Sequence, residues 1–187
     1  MAAEQSEMSE DAVLGGRLVL RQPLNGHRVG HDAILLAAAT SARAGEHMID
    51  LGAGVGAAGL AVARRIEGVA VTLVEIDPVL AALAGENAVR NALAERVRTV
   101  CLDVAAPAAA FTAAGLAPAA ADRVLMNPPF NAPQQLASPD PGRRLAHSAS
   151  RDTLDRWVGA AARLLRPTGV ITLIWRADAL DSLLAAL

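Results

Sequence analysis

Short β-rich segments alternate with helical patterns along most of this chain, and that alternation constrains its fold more than any other feature. The predicted strands lie at residues 47–51, 69–76, 97–102, 122–126 and 169–175. Predicted helices occupy residues 56–66, 78–93 and 152–165. A repeated strand, helix, strand order is typical of a parallel sheet, because each helix carries the chain back to the start of the next strand. The sequence therefore predicts an α/β fold, with a mainly parallel sheet and helices on both faces.

The chain has 187 residues, 53% of them hydrophobic, which suits one domain with a sizeable core. Residues 1–12 carry four acidic side chains and no apolar period, so we predict a disordered tail there. Residues 13–187 are then predicted to form a single domain. Its first part, residues 13–45, is predicted to be a hairpin around Asn25-Gly26 followed by a helix, and residues 46–187 are predicted to be the core.

A formal net charge of -2 excludes a globally basic nucleic-acid binder but leaves local patches open. The chain has no Lys, so any contact with phosphate must come from Arg. Cys101 is the single cysteine, which excludes an intrachain disulfide or a cysteine-based metal site, and we expect no metal. The polar N-terminus is unlike a secretory signal and no apolar run is long enough to span a membrane. We therefore expect a cytoplasmic protein without a membrane partner.

A glycine-rich turn joins the first predicted core strand to a helix in Met48-Ile-Asp-Leu-Gly-Ala-Gly-Val-Gly56. Gly52, Gly54 and Gly56 allow the backbone to approach a ligand and direct a helix N-terminus at it. Glu75 ends the next strand about twenty residues on, where a carboxylate can accept both hydroxyls of a ribose. A purely structural turn beside a surface carboxylate is the alternative. The combined spacing favours nucleotide-type binding.

Asp50, two residues before Gly52, bears on which nucleotide is bound. A carboxylate there would face the phosphates of a dinucleotide unfavourably, whereas it suits a ligand that carries an ammonium group and no phosphate. A nicotinamide-dependent oxidoreductase is disfavoured for that reason, and also because the chain has neither Tyr nor Lys for catalysis.

The segment Asn127-Pro128-Pro129-Phe130 follows the fourth predicted strand. Two prolines fix the backbone and remove two amide donors. The side-chain carbonyl of Asn127 and the main-chain carbonyl of Pro128 are then two rigid acceptors, suited to both hydrogens of a planar NH2 group. Phe130 offers a flat face on which a base or an amide can stack. A proline-rich turn with a buried Phe is the alternative. An amine held in this way would have its nitrogen lone pair oriented for attack on an electrophile.

The two motifs resemble those of class I S-adenosylmethionine-dependent methyltransferases, and Asn-Pro-Pro-Phe is similar to the motif of members that methylate exocyclic amines or a glutamine amide. The resemblance implies a Rossmann-like core, S-adenosylmethionine as cofactor and S-adenosylhomocysteine as product. It implies catalytic roles for Asn127, Pro128, Pro129 and Phe130. The cofactor neighbours that it implies are Gly30, His31, Asp50, Gly52, Gly54, Gly56, Glu75, Ile76, Asp103, Val104 and Asn127. A loop-capping role for Asp103 and helix capping by His31 and Asp32 stay open.

The chain lacks the helical N-terminal domain, the target-recognition domain and the duplicated half found in several relatives with this motif. It most resembles the compact small-domain group that includes the bacterial valine-tRNA adenine-N(6) methyltransferases. This implies methyl transfer to adenine N(6) in tRNA or other RNA. A protein glutamine amide as substrate and an inactive cofactor-binding module are the alternatives.

Residues 131–150 carry three prolines and no apolar period, so we predict a long, functional loop. Arg143 and Arg144 in this loop are candidates for contacting RNA phosphates over a flipped base, and an ordinary solvated loop is the equal alternative. Class I folds end with an antiparallel pair of strands, and here the sixth and seventh strands are expected to be missing. The fifth strand would then have a bare edge, through which a dimer could form.

Overall fold

The computed structural model describes residues 8–25, 28–129 and 151–187, with the main chain alone at positions 151 and 152. In chain order its elements are β1 (Met8–Val13), β2 (Leu18–Pro23), α1 (His31–Ala39), β3 (His47–Leu51), α2 (Ala57–Arg65), β4 (Ala70–Glu75), α3 (Pro78–Arg90), β5 (Val97–Cys101), α4 (Ala108–Ala113), β6 (Ala121–Met126), α5 (Arg151–Leu164), β7 (Leu165–Leu173) and α6 (Leu180–Ala186). A single 3-10 turn at Ala177–Ala179 leads into α6. Within these residues no helix is long and apolar enough to cross a membrane.

Strands β3 to β7 form one parallel sheet in the order β5-β4-β3-β6-β7. The chain winds outward from β3 through β4 to β5, and then returns to the other side of β3 to start the second half at β6. The direction of winding thus reverses between β3 and β6. In open α/β sheets, ligands bind in the crevice at the carboxyl ends of the strands at such a point.

Both faces of the sheet are covered, as the sequence predicts. Successive residues of a strand point to opposite faces, and in β3 Met48 belongs to the core cluster that includes α2 while Ile49 and Leu51 belong to the cluster that includes α5. All three side chains are fully buried. Near-continuous burial of this kind is typical of a parallel strand with a helical layer on each side.

The N-terminal hairpin differs from the predicted one. β1 pairs antiparallel with β2, from Met8 opposite Pro23 to Val13 opposite Leu18. The predicted disordered tail is therefore wrong for residues 8–12, and the hairpin turns at residues 14–17 rather than at Asn25-Gly26. The acidic side chains of β1 have cationic partners, because Asp11 pairs with an Arg after β2 and Glu10 with an Arg of α3. Gly26 and His27, like residues 1–7, lie outside the described residues.

The free edge of β2 is paired with side chains of α3 and of its C-cap residue instead of another strand. Oδ1 of Asn91 accepts a hydrogen bond from the N–H of Val19 at 2.9 Å, and Nδ2 of Asn91 donates one to the carbonyl of Val19 at 2.7 Å. Asn87 makes the same two contacts with Arg21, at 2.8 and 3.0 Å, and also donates to the carbonyl of Val55 at 3.0 Å. Residues four apart on a helix rise by about 6 Å, close to the spacing of alternate strand residues. This pairing attaches the hairpin to the core.

Strand β7 begins earlier than predicted. It starts at Leu165, opposite Ala121, and includes Pro167, with a register irregularity between Ala121 and Arg123. Pro is tolerated on an edge strand because its missing N–H faces no partner there. The described residues contain seven strands, so that strands six and seven in chain order, which were expected to be missing, are present. Two of them form the hairpin, and five form the parallel sheet.

Candidate functional site

A cleft opens at the carboxyl ends of β3 and β6, at the reversal point of the sheet. It is lined by the segment before α1, the first part of α1, the glycine loop and the start of α2. Its lining residues are Arg28, Val29, Gly30, Asp32, Ala33, Leu36, Asp50, Gly52, Ala53, Gly54, Val55, Ala57, Ala58, Leu80 and Asn127. The structure thus brings Gly30, Asp50, Gly52, Gly54 and Asn127 together, as the sequence predicts.

The first two glycines of the loop have different neighbours. The N–H groups of Gly52 and Ala53 both donate to the carbonyl of Val74 at 2.9 Å, which anchors the loop to β4. Gly52 has φ +73°, and a Cβ there would lie less than 3.0 Å from Trp157 Cη2. Gly54 has φ +56° and would meet nothing within 4 Å. Position 52 must therefore be glycine because the indole of Trp157 in α5 leaves no space for a side chain. The space beside Gly54 is free of these protein atoms, so a ligand can approach the backbone there.

The third glycine packs a helix rather than lining the cleft. Gly56 precedes α2 at φ +88°, and a Cβ there would lie 2.9 Å from Leu73 Cδ1 of β4. Gly59 in α2, which the sequence analysis missed, is tighter still, less than 3.0 Å from Leu73 Cδ2. A glycine within a helical pattern is a signal of close approach between backbones.

Asp50 lies at the base of the cleft and is 3% exposed. Its Oδ2 accepts the N–H of Gly59 at 2.8 Å. The pKa of Asp50 is raised to about 7, mainly by burial; the hydrogen bond from Gly59 lowers it and the charge of Glu75 adds to the increase. A buried carboxylate needs a proton or a cation to offset its desolvation. The ammonium group of a ligand in the cleft would supply one.

Glu75 is held at the carboxyl end of β4 beside the glycine loop. Its Oε2 accepts the N–H of Gly54 at 2.7 Å, and its Oε1 accepts the N–H of Asp77 at 2.9 Å. Each carboxylate oxygen has a second lone pair, so both can still accept a hydroxyl. Ile76, next in sequence, is 46% exposed. Glu75 and Ile76 stay candidates for contacting a ribose, although neither is part of the cleft lining.

The two residues proposed after β5 do not line the cleft either. The side chain of Asp103 is exposed and accepts the N–H of Ala105 at 2.8 Å, as its loop-capping alternative requires. Val104 is 4% exposed and belongs to the core cluster of α4 and α5. Its side chain therefore packs in the core rather than against a cofactor. Because β5 adjoins β4, the main chain here lies at the same edge of the sheet as Glu75.

Asn127 follows β6 directly, and its position is set by the pairing of Met126 with Leu51 immediately before Gly52. The Oδ1 of Asn127 is buried and has no hydrogen-bond partner among the described residues. Pro128 is buried and Pro129 is half-buried. Phe130, the predicted stacking residue, lies outside the described residues, as do Arg143 and Arg144 and the rest of the predicted loop. Those predictions are therefore not tested by the structure.

The segment before α1 contributes more than the sequence predicted. Helix α1 begins at His31 after Gly30, and no side chain caps it, so the capping role considered for His31 and Asp32 is wrong. Asp32 lines the cleft and His31 is exposed without lining it. Arg28 also lines the cleft and was missed. Only an isolated Arg marks this position in the sequence, and that signal is too common to be informative.

The residues present fit S-adenosylmethionine. Gly54 leaves its backbone open to a ligand, and the buried carboxylate of Asp50 has no cationic partner among the described residues, as a cofactor with an ammonium group requires. Within the same residues Oδ1 of Asn127 has no donor, and a substrate amine would supply one. No group of three or more His, Cys, Asp or Glu in the described part of the chain could share a metal ion.

Comparison with known proteins finds methyltransferases among the relatives of this chain. A tRNA1(Val) (adenine(37)-N6)-methyltransferase of Porphyromonas gingivalis is 31% identical over 160 residues, which cover 83% of this chain and 61% of that protein. The protein of the same name from Bacteroides fragilis is 29% identical over 155 residues, which cover 83% and 62%. This chain therefore spans less than two thirds of the length of these curated relatives.

The crystal structure of a predicted O-methyltransferase from Agrobacterium tumefaciens is similar to this fold, with a TM-score of 0.67 and 30% identity. The match covers 83% of this chain and 66% of that one. The family model described as methyltransferase small domain matches residues 27–180, well over half of the chain. The resemblance predicted from the glycine loop and the Asn-Pro-Pro-Phe motif is thereby confirmed, and the chain belongs to the methyltransferase small domain family.

Proposed function

We propose that this chain transfers a methyl group from S-adenosylmethionine to the exocyclic N(6) amine of an adenine in tRNA or another RNA. The observation that carries the proposal is the buried Oδ1 of Asn127 beside the glycine loop, which has no hydrogen-bond partner in the part of the chain that the structure describes. A buried acceptor without a donor costs about 1–3 kcal/mol, and a bound NH2 group would supply the donor. The names of the two bacterial relatives specify adenine N6 in a tRNA, which supports this substrate class.

The cofactor would be held by residues of β3, β4 and the turns that follow them. Asp50 would pair with its ammonium group, and Gly54 would allow the backbone to approach it. Glu75 would accept the ribose hydroxyls, and Asp103 would lie towards the adenine. When bound, S-adenosylmethionine supplies a methyl group on a positively charged sulfur, from which an amine lone pair can displace it to leave S-adenosylhomocysteine.

Asn127 and Pro128 would orient the reacting nitrogen. Their two carbonyl oxygens accept both N–H groups of the amine, so that the nitrogen lone pair points along the line of attack. An exocyclic amine is a weak nucleophile because its lone pair is conjugated with the ring, and two acceptors favour the pyramidal form that reacts. Positioning then supplies most of the rate. No residue need act as a general base, because the proton can be lost to water after transfer.

A glutamine side-chain amide also presents an NH2 group to two acceptors, so a protein glutamine is the alternative substrate. A hydroxyl substrate has one hydrogen and would leave one of the two acceptors unused, which favours an amine over a hydroxyl as the group that is methylated.

A tRNA substrate further implies a cytoplasmic protein, with Arg143 and Arg144 as the predicted contacts to RNA phosphates.

The test is methylation of unmodified tRNA, ribosomal RNA and release factor with labelled S-adenosylmethionine, followed by mass spectrometry of the nucleosides. We expect N(6)-methyladenosine in tRNA. Asn127→Ala should lower the rate at least about a hundredfold while it leaves S-adenosylhomocysteine binding intact. Asn25→Ala, an exposed asparagine outside the cleft, is the matched control. Label in protein rather than RNA would favour the glutamine alternative, and a normal rate with Asn127→Ala would exclude the proposed role of this residue.

A further inference from the structure

A second cavity, of about 120 Å³, lies between the turn of the N-terminal hairpin and the later residues of α1 and α2. We call it the arginine cavity, because three arginines and five apolar side chains line it. Its lining residues are Leu14, Arg17, Ile34, Ala37, Ala38, Ala61, Arg64 and Arg65. Small-molecule sites usually measure about 300–1,000 Å³. The arginine cavity therefore suits one group of a larger partner better than a free metabolite.

The three arginines of this cavity lack carboxylate partners. Six other arginines of the described residues form ion pairs with Asp or Glu, whereas Arg17, Arg64 and Arg65 form none there. All three are exposed, and no acidic side chain of the described residues lines the cavity. Like charges around one cavity repel one another, and a bound anion would offset that repulsion. The arginine cavity thus has the charge of an anion-binding surface, although the chain as a whole carries a net charge of -2.

Main-chain carbonyls hold the arginines in place and leave other donors unused. Nε of Arg17 donates to the carbonyl of Leu14 at 3.2 Å, and Nε of Arg64 donates to the carbonyl of Arg17 at 2.9 Å. Nη2 of Arg65 donates to two carbonyls at the end of α1, at 2.7 and 2.6 Å. Within the described residues, the terminal nitrogens of Arg17 and Arg64 have no acceptor. A guanidinium held in this way can bind phosphate oxygens through two parallel N–H groups.

The arginine cavity and the cleft share two helices. Leu36 of α1 and Ala57 of α2 line the cleft, and Ala37 and Arg64 of the same helices line the arginine cavity. The seven-residue step from Ala57 to Arg64 is a rise of about 10 Å along α2. A stacked strand of nucleic acid rises about 3.4 Å per nucleotide. A strand with one base in the cleft would therefore reach the arginines within about three nucleotides.

We infer that the arginine cavity binds a nucleotide of the substrate RNA that flanks the target adenine. Its phosphate lies against Arg17 and Arg64, and its base lies on the apolar lining. The inference rests on the proposed function, because it concerns the same RNA. Unstacked bases bind to flat side chains and guanidinium planes, and a phosphate contact positions the RNA without reading its sequence. This surface is separate from residues 131–150, for which RNA contacts are also predicted.

Binding of unmodified tRNA at several salt concentrations tests the phosphate contact. We expect the double variant Arg17→Ala/Arg64→Ala to bind tRNA about tenfold more weakly. The slope of log K against log salt should fall by about 0.7–0.9 for each phosphate contact that is lost. The KM for tRNA should rise with little change in kcat, because a flanking contact is made equally before and during methyl transfer. Binding of S-adenosylhomocysteine should be unchanged, because neither arginine lines the cleft.

Arg90→Ala is the matched control. Arg90 also lies in the last turn of a helix, but it pairs with Glu10 at 2.8 Å and does not line the arginine cavity. Its loss should leave the tRNA affinity and the salt slope unchanged. Arg64→Lys keeps the charge but not the planar donor group, and should keep the salt slope. Arg65 is not varied, because it also holds the end of α1.

Ala38→Phe tests the apolar part of the cavity. A phenyl ring there would fill the space for a base without a change of charge. We expect weaker tRNA binding with the salt slope of the wild type. Unchanged tRNA binding in this variant would overturn the docking of a base.

Two results with the double variant would overturn the phosphate contact and leave the proposed function in place. One is unchanged tRNA affinity in a protein that still methylates tRNA. The other is weaker binding with an unchanged salt slope, because the arginines would then shape the surface rather than contact phosphate. Failure of the wild-type protein to bind or methylate any RNA, with methylation of a protein instead, would refute the proposed function and this inference together.

Discussion

Three residues of the glycine loop and its helix show how one motif serves different physical needs. A Cβ at Gly52 would overlap the indole of Trp157, and a Cβ at Gly56 would overlap the side chain of Leu73. A Cβ at Gly54 would meet no protein atom within 4 Å. A sequence motif marks all three equally. Only the surroundings of each Cα show that Gly54 is the position at which a ligand can approach the backbone.

Alanine substitutions should separate these needs. Gly52→Ala combines a positive φ with an overlap against Trp157, and we expect it to lower the free energy of unfolding by about 3 kcal/mol or more. Gly54→Ala has the strained φ but no overlap, and should cost about 1–2 kcal/mol while it weakens S-adenosylhomocysteine binding strongly. Urea unfolding and calorimetry on both variants check this. Equal stability of the two would contradict the role of Trp157.

The buried carboxyl of Asp50 should make stability depend on pH. Its pKa is about 7 in the folded protein against an ordinary 3.8, so the folded state binds the proton more tightly. Protonation of Asp50 contributes up to about 4 kcal/mol to the free energy of unfolding. This contribution is present in full below the ordinary pKa and is lost as the pH rises through about 7. In Asp50→Asn, which keeps an acceptor for Gly59, that loss should disappear. The measurement is urea unfolding of the ligand-free protein at pH values from below 3.8 to above about 7.

The exposed Asp103 provides a control for that experiment. Asp103→Asn should leave the decline of stability with rising pH as it is in the wild type, because its carboxyl is not buried. An equally steep decline in Asp50→Asn would show that other groups cause it.

At the scale of elements, the attachment of the hairpin to α3 decides whether the cleft is complete. β2 presents the main-chain groups of Val19 and Arg21 to Asn91 and Asn87, and Leu18 and Leu20 fill the core beneath them. A hairpin of two strands is marginally stable alone. Packing and side-chain pairing against α3 therefore hold the segment that carries Arg28.

Substitution of the two asparagines should give unequal effects. Asn87 is fully buried, and Asn87→Ala would leave the N–H and carbonyl of Arg21 and the carbonyl of Val55 without these partners. We expect a loss of about 2–4 kcal/mol in the free energy of unfolding. Asn91 is half-buried, so Asn91→Ala should cost about 1 kcal/mol. A larger effect at Asn91 than at Asn87 would refute this account of the pairing.

At the scale of the whole molecule, the order of the strands creates the site. Asp50 and Asn127 are far apart in sequence, and they line one cleft because β3 and β6 are neighbours across the point where the winding reverses. Motifs at the ends of parallel strands meet at one edge of the sheet, so their convergence could be predicted before any coordinates. The contributions of Arg28 and Trp157 could not be predicted, because each depends on a contact with an element distant in sequence.

The sequence by itself determined the α/β class, the five core strands to within a few residues and the meeting of Asp50, Gly52 and Asn127 at the reversal point. These features follow from local hydrophobic periodicity and from turn residues with special backbone conformations, both of which can be read along the chain. The tertiary structure alone decided that an acidic N-terminal segment forms a strand, that Asn side chains pair with its partner, and that Arg28 lines the cleft. Each of these depends on partners distant in sequence, whose burial and charge determine the result and leave no local pattern.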